Sequence, residues 1–173
     1  MEILFEFLKI ILPAALVLYA MFLTVRSFIE KDLKGSVMKL KVENSKTVLP
    51  LRLQAYERMS LFLERISLNN LILRLNTTEL SAKQLQSLML NDIREEFSHN
   101  LSQQIYMSDE SWNMIKNTVE QIITLINTVA ETMDDNAKGL NLSKKILESQ
   151  MDNKVDFTNE TLSFIKNEIR STF

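Results

Sequence analysis

KIILPAALVLYAMFLTVR, running from Lys9 to Arg26, carries no charge between its two ends, and its reading decides what the rest of the chain is arranged around. Ile10 to Val25 is sixteen uncharged, mostly apolar residues. As a helix it measures about 24 Å at ~1.5 Å per residue, against about 30 Å for the hydrocarbon core of a bilayer. Extension back to Ile3 supplies the missing turns, with Glu6 and Lys9 three apart on one helix face and able to pair. Lys9 can also snorkel toward headgroups. A cleaved signal peptide fits less well, because Glu2 and Glu6 occupy what should be a basic n-region. The nearest cleavage candidate, Leu18-Tyr19-Ala20, also puts a leucine where a small residue belongs. A buried helix of a soluble domain would be burdened by Pro13, which membrane helices tolerate. The expectation is therefore a retained single transmembrane helix over residues 1–26.

Flanking charge sets the expected orientation. Arg26, Lys31, Lys34, Lys39, Lys41 and Lys46 follow the stretch, and only Lys9 and the amino terminus precede its core. The positive-inside rule places the N-terminus outside and the bulk of the chain in the cytoplasm of a bacterial inner membrane. Lys9, Arg26, Lys31 and Lys34 are then the membrane-flanking residues, and the lipid bilayer is the first partner expected.

Composition points the same way for the remainder. Hydrophobic residues make up 46% and charged residues 24% of 173, above the range of disordered chains. Two glycines and two prolines are too few for the many tight turns of a β fold, and suit long helices. The absence of cysteine excludes disulfides, thiolate metal sites and a cysteine nucleophile. A net charge of −2 argues against a nucleic-acid partner. Charge is unevenly placed: Arg26 to Arg58 has eight basic against four acidic residues, whereas Glu79 to Asn136 has three against ten.

Residues 27–46, interrupted by Gly35-Ser36, read as a basic juxtamembrane connector. A helical bundle is expected over 47–137 and a helical or mobile tail over 138–173. Thr47 to Ile66 is amphipathic, with Pro50 in its first turn and Ala55, Met59, Phe62, Leu63 and Ile66 on one face. Ser81 and Gln84 form a capping box ahead of a long helix marked by Leu85, Leu88, Met89, Ile93, Phe97, Leu101 and Ile105. Ser108, followed by Asp109 and Glu110, starts another. That helix carries the sharpest pattern: Trp112, Ile115, Val119, Ile122, Ile126, Val129 and Met133 are spaced 3-4-3-4-3-4, a heptad seam. A short break makes it the antiparallel neighbour of the preceding helix. Asp134-Asp135-Asn136 and Gly139 stop it. In the tail, Leu147, Met151, Val155, Leu162, Ile165 and Ile169 recur less regularly. The fold class expected is all-α: a transmembrane helix followed by an antiparallel bundle with coiled-coil-like packing.

Signals for chemistry are sparse. Glu96-x-x-His99 has the spacing of half a di-iron carboxylate site, but a single histidine cannot complete one in this chain, nor a zinc hydrolase or a Ser-His-Asp triad. A carboxylate enzyme, using for example Asp92, Glu95 and Glu96, is an alternative reading, but like charges on one helix turn are usually a solvated face. No phosphate-binding loop occurs, and the Asn-x-Ser/Thr triplets at Asn76, Asn100, Asn141 and Asn159 read as chance. Ser98 to Trp112 gathers the lone His, the lone Trp and a Tyr around a helix break. Its functional reading is a partner groove with Tyr106 and Trp112 as aromatic anchors and Gln103 and Gln104 beside them; its structural reading is a helix corner plugged by the aromatics.

Two stretches, LPLRLQAYERMSLFLERISLNNLILRL at 49–75 and LSAKQLQSLMLNDIREEFSHNLSQQIYMSDESW at 80–112, resemble a family of small, uncharacterised membrane-anchored helical proteins of Bacteroidota. AYERM and HNLSQQIYMSDESW are the most specific parts, and the likeness reaches to about residue 135. The resemblance implies an inner-membrane anchor with a cytoplasmic helical domain, and brings no activity, cofactor or catalytic residue. The function expected is a membrane-tethered interaction or scaffold module without enzymatic activity or cofactor. Its partner is another protein. The alternatives are a subunit of a larger membrane assembly, or a homo-oligomer, pairing through the heptad helix.

Overall fold

The structure is a computed structural model. It describes the backbone of residues 2–75, 79–153 and 156–172, and the side chains within those ranges except at 2–10, 13, 34–37, 40–41, 44–45, 153 and 172. Among the described residues the fold is all-helical, in the order α1 (Glu2–Ile66), α2 (Leu68–Leu75), α3 (Ala82–Asn100), a 3-10 segment (Leu101–Tyr106), α4 (Asp109–Glu131), α5 (Gly139–Asn153) and α6 (Phe157–Thr172). Two compact units divide the chain, Met1–Leu49 and Pro50–Phe173.

In the first unit α1 runs through the expected connector without a break. Glycine at position 35 costs a helix about 1 kcal/mol relative to alanine, less than ending one helix and nucleating another with new unpaired backbone groups. Arg26 and Glu30 pair along the helix at 3.1 Å. From Ile11 to Leu33 thirteen large apolar side chains are 46–72% exposed.

Among the described residues no helix is long and apolar enough to cross a membrane. This overturns the expected single-pass span, and with it the inner-membrane placement and the inside-outside assignment. The physical reason lies in the length. The uncharged stretch stops at sixteen residues, about 24 Å of helix where about 30 Å is needed. The extension that would have completed it falls on Ile3 to Lys9, whose side chains lie outside the described residues. Lys9 and Lys34 lie outside them too; Lys31 is exposed and Arg26 pairs with Glu30.

The second unit has one core. It begins at Ala55 and takes in Tyr56, Met59, Phe62, Leu63 and Ile66 of α1, Leu68, Leu71 and Ile72 of α2, and Leu85, Met89 and Ile93 of α3. The α4 seam is buried from Trp112 to Val129, with Met133 half-buried at its end. Gln86 donates to Asn127 at 2.9 Å, tying the start of α3 to the end of α4 as antiparallel neighbours. The tail completes this core: Leu142 and Ile146 of α5 and Leu162 and Ile165 of α6 are buried, while Val155 lies outside the described residues. The seam is thus covered from within the chain.

Helix ends follow the sequence signals. Ser81 accepts from the Gln84 backbone N–H at 3.2 Å while the Gln84 side chain accepts from the Ser81 N–H at 2.9 Å. Ser108 caps α4 through the Ser111 N–H at 3.1 Å. Asp156 caps α6, accepting from the Asn159 N–H at 3.1 Å and the Thr158 hydroxyl at 2.8 Å. The turn from α1 to α2 is closed on the Glu64 carbonyl, which accepts from Ser67 Oγ and Asn70 Nδ2, both at 2.8 Å. One expectation shifts: α3 ends at Asn100, and Leu101–Tyr106 is 3-10. The tighter winding changes the phase of the side chains, leaving Leu101 and Ile105 exposed.

Candidate functional site

The most connected polar cluster lies where α1, α4 and α6 meet. Tyr56 sits on the buried face of α1, and its hydroxyl donates to Glu168 Oε1 at 2.9 Å while accepting from the Ser108 N–H at 3.3 Å. The Ser111 hydroxyl donates to the other Glu168 oxygen. One turn N-terminal to Tyr56, Arg52 Nε donates to the Tyr106 carbonyl at 3.1 Å. Burial pushes the Glu168 carboxyl up, but the hydroxyls of Ser111, Ser108 and Tyr56 and the charge of Arg52 together outweigh it, leaving Glu168 below the usual carboxylate range. The position also suits the chemistry of the backbone: α6 runs antiparallel to α4, which brings a carboxylate near its end to the positive N-terminus of α4. Seven residues deeper, the hydroxyls of Thr118 and Thr161 meet at 2.6 Å.

This arrangement holds α6 in place. Tyr56 is 1% exposed and Ser111 is fully buried, so neither hydroxyl faces a substrate. Neither Glu168 nor Tyr56 stands out from the sequence as a site residue, although Tyr56 lies in AYERM and Ser108 and Ser111 in HNLSQQIYMSDESW. The two most specific stretches of the resemblance therefore meet at one hydrogen bond, from the Ser108 N–H to the Tyr56 hydroxyl. A lone tyrosine on an otherwise apolar helix face was the available signal, since a buried hydroxyl requires a partner. Nothing local pointed to Glu168, 112 residues away.

The residues singled out in the sequence are placed differently. Trp112 is buried and stacks on Phe97 with ring centroids 5.6 Å apart; the Phe62 ring lies 5.8 Å from that of Phe97, tilted by 39°. Tyr106 is half-buried, Gln103 reaches Ser102 at 3.4 Å, and Gln104 is exposed. The carboxylate cluster is divided among cations. Asp92 accepts from both terminal guanidinium nitrogens of Arg74, at 2.6 and 2.7 Å, binding α2 to α3, and the Asp92 hydrogen bond raises the Arg74 pKa. Glu96 pairs with Arg65 of α1 at 2.9 Å, and Glu95 and His99 are exposed. Among the described residues no group of three His, Asp or Glu side chains is arranged to hold a metal ion.

Among the described residues, two of the surfaces open to a ligand stand out. A shallow cleft of about 620 Å³ runs along α4 past Asn117, Gln121, Thr124 and Thr128 to Ser149 of α5 and Phe157 of α6. Its walls are mostly uncharged, with Glu120 the one acid among the lining side chains. The second surface is the apolar one from Ile11 to Leu33, which no described side chain of its own unit covers. Its thirteen exposed side chains lie around all faces of the helix, as in a helix whose surroundings are apolar on every side.

Among the described residues the protein is all-helical, with a packed core in the second unit and an exposed apolar stretch of α1 in the first. The chain belongs to a family of unknown function, DUF7935, whose model matches residues 2–172. That match takes in the tail with α5 and α6. No curated protein and no solved structure matches the chain.

Proposed function

We propose that this protein is a helical interaction module that docks a polypeptide partner along residues 11–33 while the Pro50–Phe173 unit serves as the folded body. The observation that carries this reading is the set of thirteen large apolar side chains left 46–72% exposed between Ile11 and Leu33. Leaving such side chains in water costs about 1.5–3 kcal/mol each relative to full burial, a strong drive toward a covering surface. A continuous helix presents them at fixed spacing, which is how an amphipathic or apolar helix is read by a partner. The likeness of the AYERM and HNLSQQIYMSDESW stretches supports, as part of this reading, a source among the Bacteroidota.

A photo-crosslinking residue introduced at Leu18 of the full chain tests the reading. Discrete adducts with a polypeptide are the expected result. Irradiation that yields no polypeptide adduct would refute it.

A further inference from the structure

We infer that α6 is an exchangeable helix: α5 and α6 straighten into one unbroken helix, and the α6 of one copy then occupies the groove on α4 of a second copy. In the structure the two helices lie in series along α4. α5 begins beside the start of α3, where the Gly139 N–H donates to the Leu80 carbonyl. Further on, its Ser149 lines one cleft with Thr124 and Thr128 in the second half of α4. α6 continues in the same direction along the first half, with Thr161 on Thr118 and Glu168 on Ser111. The break between them has no glycine or proline behind it, since residues 140–173 contain neither. The local signal for the restart is the Asp156 cap. Ending α5 at Asn153 and restarting at Phe157 leaves helix-end groups without intrahelical partners and requires a second nucleation.

What the break gains is a change of phase. Leu142 and Ile146 are the buried apolar side chains of α5, and Leu162 and Ile165 those of α6. Ile146 and Leu162 are sixteen residues apart, about 160° around an unbroken helix at 3.6 residues per turn. For Leu142 and Ile165 the angle is about 140° at the same pitch. Unbroken, the helix therefore turns its two docking faces to nearly opposite sides. The α5 face stays on its own chain, and the α6 face points away from it toward the α4 of another copy. That groove recognises α6 through directional contacts that a second copy supplies identically: Tyr56 and Ser111 donate to Glu168, and Thr118 meets Thr161. Exchange remakes each of these between chains, as in a domain swap. The straight form gives up the Asp156 cap and regains the helical hydrogen bonds that the break removes.

Disulfide trapping between full-length chains tests the inference, because the chain carries no cysteine of its own. Two single variants, Thr118→Cys and Thr161→Cys, are incubated together under mild oxidation, one of them isotopically heavy. The hydroxyls they replace stand 2.6 Å apart, within reach of a disulfide. A mixed disulfide at twice the 20.1 kDa chain mass is expected. It reports α6 of one copy on α4 of another, whatever covers residues 11–33. Phe157→Pro suits the first position of a separate α6. Inside an unbroken helix it is excluded, so placed in both chains it should lower the mixed species roughly tenfold or more. Asp156→Ala removes the cap of the separate α6 and should raise the yield. Each mixture is scored on material with the Trp112 fluorescence of a folded body. Cysteines that pair only with their own kind, no disulfide between chains, or a yield indifferent to both changes would each overturn the inference.

Discussion

The Tyr56 hydroxyl is a single atom on which three segments depend. It donates to Glu168 and accepts from the Ser108 N–H inside a site that is 1% exposed. Tyr56→Phe keeps the ring and removes only that atom, stranding a backbone donor and one carboxylate oxygen. The expected cost is about 1–3 kcal/mol, read as a lower urea midpoint at unchanged slope. Gly139 is a second point where one atom matters. Its N–H donates to the Leu80 carbonyl at 2.8 Å, and Ala82 donates to the Ala137 carbonyl at 2.8 Å, forming a bridge that ties the start of α5 to the start of α3. A Cβ at 139 would stand 3.1 Å from that same Leu80 oxygen and 3.3 Å from Leu85 Cδ2. The close neighbour is backbone, held by the bridge, so it yields poorly. Gly139→Ala is expected to destabilise by about 1–2 kcal/mol, in spite of alanine's better helix propensity. Circular dichroism melts would check this. From the sequence Gly139 was legible as a helix stop; that it also permits a close approach between distant segments was not.

At the scale of elements, α6 is the one whose docking depends on ionised carboxylates at both ends. Asp156 caps its start, where burial pushes the carboxyl up and the hydrogen bonds from Thr158 and Asn159 more than offset this, leaving it depressed. Glu168 is depressed in the same way near its end. A depressed carboxylate adds stability that is fully present above its unfolded pKa, about 4, and that is lost as pH falls through the lower folded value. Acidification below about pH 4 is therefore expected to release α6 before the rest of the second unit unfolds. Faster amide exchange over residues 157–172 than over α4 would report it. Glu168→Gln should remove much of that pH dependence, and an unchanged profile would show that Glu168 does not hold the helix. The capping box, the α4 seam and the start of α4 were readable because each is a local pattern of spacing. The end of α3 was not, because the change to 3-10 winding at Leu101 is imposed where the chain turns toward α4. Gly35-Ser36 suggested a break that the continuous α1 does not make.

For the molecule as a whole, the buried core begins at Ala55 and includes no described residue before it. A fragment starting at Pro50 should therefore fold cooperatively, with Trp112 buried and a denaturant midpoint close to that of the full chain. A fragment that fails to fold would show that residues before Pro50 support the core. The sequence by itself determined that the protein is helical, cysteine-free and built on α3 and α4 as antiparallel neighbours. Those properties follow from composition and from apolar periodicity, which act over a few turns of chain. It also suggested a membrane span from an apolar stretch, and there length decided against it: no described helix is long and apolar enough to cross. Tertiary structure alone decided that the tail belongs to the core, that Trp112 packs on Phe97 as an interior side chain, and that Asp92 and Glu96 are taken up by Arg74 and Arg65. It also decided that a glutamate 112 residues from Tyr56 closes the site. Each of these joins segments far apart in sequence, and partners brought together only by the folding of intervening chain leave no spacing in the sequence to be read.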